Sequence, residues 1–360
     1  MIAHLPILQV IIPLMAAPIC LMLKRTQLVW LFSIIASGLA FAVSILLLQQ
    51  VLTSGVISYE LGGWQAPWGI EYRIDKLNAF LLLIISGIST VVLFAAQTSL
   101  EKEIPKDKHI YFYVLYLLSL TGMLGIVATG DAFNVFVFLE ISSLSAYALI
   151  GMGNKRQALW ASYQYLIMGT IGATFILIGI GLMYQMTGTL NMHDLSQRLP
   201  EVEQSRTVLA AFAFVIVGVC LKLAMFPLHL WLPNAYTYAP SIVTAFFAAT
   251  ATKVAVYLLI RFTFSVFGFS FSFTHIPLQT IFMALGLVGI FVASTSAIYQ
   301  NNVKQLFAYS SIAQIGYMIV GFSLSTVTGL TATLLHMFNH ALMKGAIFLA
   351  LAAVIYRVGN

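Results

Sequence analysis

The stretch that decides the fold is GVCLKLAMFPLHLWLPNAY, residues 218–236. It is largely apolar, yet it carries Lys222 and, just beyond, two prolines, Pro227 and Pro233. A proline inside a membrane helix removes one backbone donor and frees a carbonyl group, which protein or a water-filled cavity must satisfy again. The pattern therefore predicts a broken membrane helix, hinged at the two prolines, with a lysine beside the break.

Two interpretations of Lys222 compete. In one, a proline kinks the helix and the long lysine side chain brings its amine to the membrane surface. In the other, the lysine stays inside the membrane, where transporters place broken helices beside the groups that handle ions. Lys222 lies 14 residues from either end of the span predicted at 208–236. This depth favours the second interpretation.

The composition is that of an integral membrane protein with many helices. Hydrophobic residues make up 61% of the chain and charged residues 8%, and the mean hydropathy is +0.97. A soluble domain of this size could not bury so much apolar surface. The net charge of +6 comes from bases spread thinly along the chain, which argues against nucleic-acid binding. Cys20 and Cys220 both lie in apolar stretches and predict neither a disulfide framework nor a cysteine-based metal site.

Eleven stretches are long and apolar enough to span a bilayer, which needs about 20 residues per helix. A turn-rich surface hairpin with interfacial tryptophans is predicted at 61–73, and a short amphipathic helix at 191–200. The predicted spans are 6–23, 28–52, 77–99, 110–129, 132–152, 158–187, 208–236, 240–262, 277–299, 303–325 and 330–356.

The basic residues between these spans predict the orientation of the chain. One face carries more of them than the other, and the richer face is cytoplasmic by the positive-inside rule. The amino terminus is then expected on the outer side of the cell membrane. The richer face carries Lys24, Arg25, Lys102, Lys106, Lys108, Lys155, Arg156, Lys304 and Arg357, and the other carries Arg73, Lys76, Arg198, Arg206 and Arg261.

Glu140 and Lys253 are ionisable residues inside predicted spans. Ser143 and Tyr147 follow Glu140 at helical spacing and share its face. A carboxylate inside a span pairs with a cation or stays protonated, and Lys222 is the expected partner of Glu140. Lys253 has threonines on its own helix and is expected to be the next proton-carrying group. The alternative is a static ion pair that only holds helices together.

The last span carries His336, His340 and Lys344, four residues apart on one helical face. They cover about 12 Å along the axis at about 1.5 Å per residue. Histidine titrates near neutral pH, so this row suits proton transfer through intervening water. A zinc site is disfavoured because no further ligand is near and a lysine would repel the metal. His229, beside the prolines, is ambiguous between a helix cap and a relay group.

The loops carry no nucleotide-binding or hydrolytic motif. No metal, haem or other cofactor is predicted. Energy for transport is therefore expected from an ion gradient or from a partner protein.

Several stretches together resemble the proton-translocating antiporter-like family, which includes the large membrane subunits of complex I and the Mrp cation/proton antiporters. The stretches are GDAFNVFVFLE at 130–140, KLAMFPLHLWLPNAY at 222–236, KQLFAYSSIAQIGY at 304–317 and the row His336, His340 and Lys344. Within the family, LGGWQAPWGI at 61–70 and GTLNM at 188–192 are most similar to the D-type component of the Mrp complexes.

This resemblance implies two inverted five-helix repeats, each with a broken helix at its fourth position. The corresponding regions here are an N-terminal three-helix region at 1–108, a first repeat at 109–266 and a second repeat at 267–360 that stops after three helices. Glu140, Lys222 and Lys253 match the family's glutamate, broken-helix lysine and connecting lysine in the first repeat.

The function expected from the resemblance is proton movement within a multisubunit Na+/H+ antiporter, along Glu140, Lys222, Lys253 and the last-span row. The expected partners are other antiporter subunits, the lipid bilayer, protons and Na+ or another monovalent cation. Such a chain is a secondary-transporter subunit and not an enzyme by itself. An alternative is a proton-pumping membrane subunit of an NADH:quinone oxidoreductase or a membrane-bound hydrogenase. A different class is a membrane scaffold whose buried ion pairs are static.

Overall fold

A computed structural model describes residues 4–358 of the chain. In this range eleven helices are long and apolar enough to cross a membrane, which confirms the predicted all-α class and the number of spans. The helices are α1 Leu5–Met22, α2 Thr26–Ser54, α3 Lys76–Glu103, α4 His109–Ala128, α5 Ala132–Gly151, α6 Arg156–Thr187, α7 Met192–Val202, α8 Arg206–Leu223, α9 Trp231–Tyr238, α10 Ser241–Ile260, α11 Leu278–Ile298, α12 Val303–Ser323 and α13 Val327–Val358.

Two of these helices, α7 and α9, are too short to span a bilayer. Helix α7 is the amphipathic helix predicted at 191–200. Its side chains Met192, Leu195 and Leu199 are buried at the spacing of one helical face. Helix α9 is the second half of the predicted span at 208–236, which the structure divides into α8 and α9.

A two-stranded antiparallel hairpin joins α2 to α3, as the sequence predicted. Its strands are β1 Ile57–Glu60 and β2 Glu71–Ile74, so the first strand begins before the predicted range of 61–73. Along β1 the side chains alternate between partly buried and exposed, the period-two pattern of a strand with one covered face. Trp64 and Trp68 lie exposed in the connection between the strands.

Helix α10 is the most enclosed element of the bundle. Of its 20 residues, 19 are buried, because α3, α4, α8 and α13 all pack against it. A helix that is apolar all round belongs in the centre of a bundle and not at the lipid surface. The sequence thus places Lys253, near the middle of α10, at the centre of the protein.

Helix α8, which carries Lys222, packs closely on α6 through glycines. A Cβ atom added to Gly218 would lie 2.6 Å from the backbone oxygen of Gly172, and one added to Gly172 would lie 3.1 Å from that of Gly218. Small residues allow such close approach of two membrane helices. The glycines therefore fix the distance of the lysine-bearing half-helix from its neighbour.

Candidate functional site

The predicted helix break lies immediately after Lys222. Helix α8 ends one residue later, Ala224 adopts the left-handed backbone conformation with φ of 58°, and α9 begins seven residues further on. Pro227 lies in the break itself. Pro233 lies in the first turn of α9, where an N–H group has no intrahelical acceptor to lose. The hinge assigned to both prolines is therefore centred on Pro227, and Pro233 belongs to the second half-helix.

Backbone groups freed by the break are satisfied within the protein. The indole Nε1 of Trp231 donates a 3.1 Å hydrogen bond to the carbonyl oxygen of Leu221, and the amide of Met225 donates one of 3.1 Å to that of Cys220. The Trp231 ring also stacks on Tyr165, with ring centroids 4.1 Å apart. Irregular backbone at membrane depth is stable only with such internal partners.

The Lys222 amine is held by a hydroxyl group. Its Nζ donates a 2.8 Å hydrogen bond to Ser143 Oγ. The ion pair expected between Lys222 and Glu140 does not form: within residues 4–358 no side-chain cation lies within 4.0 Å of this carboxylate, and its buried Oε1 has no hydrogen-bond partner. Ser143 lies one turn beyond Glu140 on α5 and takes the amine instead.

A small cavity extends from Lys222 toward the centre of the bundle. Its volume is about 50 Å³, and its polar lining includes Ser143, Lys222 and Thr252. A buried water needs a cavity of at least about 10–15 Å³ and two or more polar partners. The cavity therefore has room for more than one water between the amine of Lys222 and the hydroxyl of Thr252.

Lys253 is fully buried beside this cavity. Its Nζ donates hydrogen bonds to the carbonyl oxygen of Ala248 at 2.6 Å and to Thr252 Oγ1 at 3.2 Å. Thr252 thus contacts both the cavity and the Lys253 amine. In the described residues no carboxylate pairs with Lys253. Its helix packs against α13, where a Cβ atom at Gly345, next to Lys344, would lie 3.6 Å from that of Ala249, one turn before Lys253.

The predicted row on α13 faces the interior. The rings of His336 and His340 are parallel, 6.3 Å apart between centroids, and His340 is fully buried with no hydrogen-bond partner for either ring nitrogen. Lys344 Nζ donates to the carbonyl oxygen of Phe307 at 2.9 Å and to Ser310 Oγ at 3.1 Å.

Lys222 thus shares a cavity with Thr252, the neighbour of Lys253, and α10 packs against α13, which carries Lys344, His340 and His336. This series from Lys222 to His336 is named here the line. Glu140 lies one turn before Ser143, which holds the Lys222 amine.

A second cavity, of about 480 Å³ and open to the surface of the chain, adjoins His336 at the other end of this line. Gln314, Tyr317 and Thr333 contribute polar groups to its wall. The ring of Tyr317 meets His336 edge-on, with centroids 6.0 Å apart. His229 lies away from the line, where its ring stacks on Phe226 with centroids 5.3 Å apart.

The sequence placed Lys304 at one membrane face, and Glu103 between the third and fourth predicted spans, but both are buried. Lys304 Nζ lies 3.8 Å from Glu103 Oε1 and donates a 3.0 Å hydrogen bond to the carbonyl oxygen of Ala239. The α3 helix continues through the predicted loop as far as Glu103 and so carries this carboxylate inward. The motif at 304–317 was the only signal that Lys304 is more than a loop charge.

At the other end of α3, Arg261 and Asp75 form a second ion pair, with Nη1 and Oδ2 2.7 Å apart. Arg261 had been assigned only as a surface base. The described residues contain no group of three or more His, Cys, Asp or Glu side chains that could hold a metal ion.

Comparison with known proteins supports the same grouping. Residues 129–360 match the model of a family described as NADH:quinone oxidoreductase/Mrp antiporter, transmembrane. The chain is 40% identical to the N-type component of the NADH-quinone oxidoreductase of Desulforudis audaxviator, over all of this chain and 72% of that protein. It is 32% identical to the D-type component of the Na(+)/H(+) antiporter of Alkalihalophilus pseudofirmus, over 85% of this chain and 61% of that protein.

A solved structure shares the fold. In the membrane-bound sulfane sulfur reductase, an archaeal respiratory membrane complex, one chain superimposes with a TM-score of 0.89 and 33% identity over 99% of this chain. The present chain covers 72% of that one. It thus spans between 61% and 72% of the length of these three relatives.

The indole hydrogen bond at the helix break generates a stability prediction. Trp231→Phe keeps the ring stacked on Tyr165 but leaves the carbonyl of Leu221 without its donor, at a cost of about 1–3 kcal/mol. We expect a lower thermal unfolding midpoint in detergent. Trp160→Phe is the matched control, because Trp160 also stacks on a tyrosine but lies exposed on the surface of the chain. Equal midpoints for the two variants would contradict the proposed role of the indole.

Proposed function

Because the chain belongs to the NADH:quinone oxidoreductase/Mrp antiporter transmembrane family, we propose that it moves protons as one subunit of a multisubunit monovalent cation/proton antiporter. The observation that carries the proposal is the line of ionisable groups from Lys222 to His336, of which Lys253, His340 and Lys344 are buried and the two end groups partly buried. Ionisable residues inside a membrane are costly and mark ion pathways or proton relays. The similarity to a component of a Na(+)/H(+) antiporter supports Na+ or another monovalent cation as the exchanged ion.

The first transfer in this proposal runs from Lys222 to Lys253. A proton leaves the Lys222 amine, passes through water in the 50 Å³ cavity, and reaches Lys253 by way of the Thr252 hydroxyl. A hydroxyl group suits this position because it accepts one hydrogen bond while it donates another. The carboxylate of Glu140, which has no ion-pair partner among the described residues, attracts the proton on Lys222 and so opposes this transfer. The transfer becomes easier when the Glu140 carboxylate is neutralised.

The second transfer runs from Lys253 to His340 and Lys344. Like charges this close in a medium of low dielectric constant raise each other's free energy, so the site disfavours two adjacent cations. A proton that arrives on Lys253 therefore drives off the proton held by the α13 row. Water in the 480 Å³ cavity beside His336 accepts it.

The two inverted repeats form part of the same proposal. The N-terminal three-helix region is 1–108, the first repeat is 109–266 and the second repeat is 267–360. Glu140, Lys222 and Lys253 lie in the first repeat, and the α13 row lies in the second. The break between α8 and α9 falls in the fourth membrane-spanning helix of the first repeat, where broken helices of transporters form ion sites.

A second candidate is a proton-pumping membrane subunit of a redox complex. The 40% identity to a component of an NADH-quinone oxidoreductase and the similarity to a chain of a respiratory sulfane sulfur reductase favour it. Everted vesicles that carry the native complex distinguish the two. A Na+ pulse that releases protons without any electron donor supports the antiporter, whereas proton movement that requires electron transfer supports the redox complex. The absence of both responses would contradict both candidates.

The chain is a multi-pass membrane protein. Its location in the cell membrane, with the amino terminus outside, is part of the proposal and is supported by the excess of Lys and Arg on one face. An epitope tag at the amino terminus should be accessible in whole cells. If the tag were accessible only in everted vesicles, the amino terminus would lie on the cytoplasmic side, opposite to the proposal.

The Thr252 hydroxyl provides a test of the route. Thr252→Val preserves the side-chain shape but removes the group between the cavity and Lys253, so we expect at least a tenfold loss of proton flux in vesicles at normal protein abundance. Thr250→Val is the matched control, since Thr250 lies on the same buried helix and bonds only its own backbone, to the carbonyl oxygen of Phe246. If both variants retained full flux, the proton would not pass through Thr252.

A further inference from the structure

Helix α10 has few polar contacts in its middle that could fix its position along the membrane normal. Lys253 bonds Thr252 and the carbonyl oxygen of Ala248, and Thr250 bonds that of Phe246, all within α10 itself. Such bonds move with the helix.

Two hydrogen bonds join α10 to α9: Thr244 Oγ1 donates to the carbonyl oxygen of Tyr236 at 2.9 Å, and Tyr236 Oη donates to that of Phe247 at 3.3 Å. Both lie within the first seven residues of α10, and apolar contact, which makes up most of the remaining surface, is not directional. The charged contacts at the two ends of α10 are therefore the strongest candidates for fixing the axial position of Lys253.

The amino-terminal end of α10, named here its inner end, contacts Glu103, the last residue of α3. Its carboxylate accepts hydrogen bonds from the backbone amide of Ser241 and from Ser241 Oγ, both at 2.7 Å, and from Ser99 Oγ at 3.1 Å. Ser241 is the first residue of α10, so a carboxylate from another helix satisfies its free amide and interacts with the positive end of its dipole. Lys304 of α12 adds a charge at 3.8 Å.

The carboxy-terminal end of α10, named here its outer end, is joined through Arg261 to Asp75, the residue that precedes α3. Asp75 Oδ2 lies 2.7 Å from Arg261 Nη1, in the turn that directly follows α10. Arg261 Nε donates to Tyr257 Oη at 3.2 Å, and Tyr257 Oη donates to the carbonyl oxygen of Val127 at 3.1 Å. Both ends of α10 are thus joined by charged groups to the two ends of the same antiparallel helix, α3.

We propose that these two contacts, named here the inner clamp (Glu103, Ser241 and Lys304) and the outer clamp (Asp75, Tyr257 and Arg261), set the axial position of α10 and hence of Lys253. Glu103 and Asp75 are positioning residues. They do not carry the transported proton. The importance of this position for transport rests on the proposed function, but the position itself can be measured without transport.

The contacts of the two carboxylates agree with a fixed role. Glu103 accepts three hydrogen bonds and faces a lysine, so donors and a cation stabilise its negative charge. Burial raises the pKa of Asp75, but the hydrogen bond and charge of Arg261 and the backbone amides of Asn78 and Leu77 outweigh it, and the net pKa lies below the ordinary value. Asp75 therefore stays ionised while the relay groups exchange protons.

One helix contact reports the position of α10 directly. A Cβ atom at Gly345 of α13 would lie 3.6 Å from the Cβ of Ala249, one turn before Lys253. Disulfides require Cβ atoms about 3.5–4.5 Å apart. The double substitution Ala249→Cys and Gly345→Cys, in a chain with Cys20→Ala and Cys220→Ala, should therefore form a disulfide, whereas a shift of one residue, about 1.5 Å along the axis, should reduce its yield.

The experiment combines this disulfide with changes to each clamp in the full complex. Asp75→Asn retains a good helix cap for α3 but loses the charge opposite Arg261, and Glu103→Gln loses the charge opposite Lys304. We expect each variant to form at least threefold less disulfide, which is measured from the thiol that remains unreacted. We also expect each to lower proton flux. Asp194→Asn is the control, because it removes an exposed ion pair with Arg198 on α7 and should change neither value.

The outcomes separate this inference from the proposed function. Unchanged disulfide yield in both clamp variants, each present in the membrane, would overturn the inference, even if flux fell, because the charges would then act without moving α10. Reduced yield with normal flux would support the clamps and contradict a relay through Lys253. If Glu103→Gln does not accumulate, Lys304→Met tests the same clamp.

Discussion

The structure depends on the free energy required to hold charged groups inside a membrane. A lysine at the centre of a bilayer costs about 2.5–3.5 kcal/mol on insertion scales, and Lys253 is fully buried without a counter-ion in the described residues. It is supported only by a backbone carbonyl, a threonine hydroxyl and the helices that enclose α10. Groups supported this weakly in the charged form can release a proton, whereas a strong ion pair would retain it.

The same constraint explains why α8 and α9 are separate helices. A continuous helix would satisfy its own carbonyl groups and leave little that is polar at membrane depth. The break after Lys222 leaves backbone groups that Trp231 and neighbouring amides must satisfy, and a small cavity with some polar side chains in its wall lies beside the lysine. The relay groups and the irregular backbone therefore occur together for one physical reason.

Much of the fold could be predicted from the sequence because the signal for a membrane span is local. Eleven apolar stretches gave eleven spanning helices, and the prolines predicted the interruption at 218–236. Lys253, His340 and Lys344 could be selected because a charge within an apolar stretch stands out. The position of Thr252 in the cavity wall could not be predicted from the sequence, since a threonine in a membrane helix commonly bonds its own backbone.

Pairings between distant residues could not be predicted in the same way. Lys222 was expected to pair with Glu140, yet its amine donates to Ser143 on the next turn of α5. Lys304 and Arg261 were assigned to the two membrane faces, and Glu103 fell in a predicted loop, because charge near the end of a span normally faces water. Their ion pairs depend on where α3 ends relative to α10 and α12, which is a property of packing and not of any one segment.

The central claim is that Glu140 and Lys222 take part in proton movement and are not a static support. The most direct measurement compares Glu140→Leu, Lys222→Met and their combination in the full complex, for membrane abundance and for cation-dependent proton flux. Glu140 and Lys222 form no direct ion pair in the structure, so neither replacement breaks one, and an apolar side chain lowers the cost of holding each helix in the membrane. The account predicts that the double variant is as abundant as the unmodified protein and has no flux. Normal flux in the double variant would contradict it.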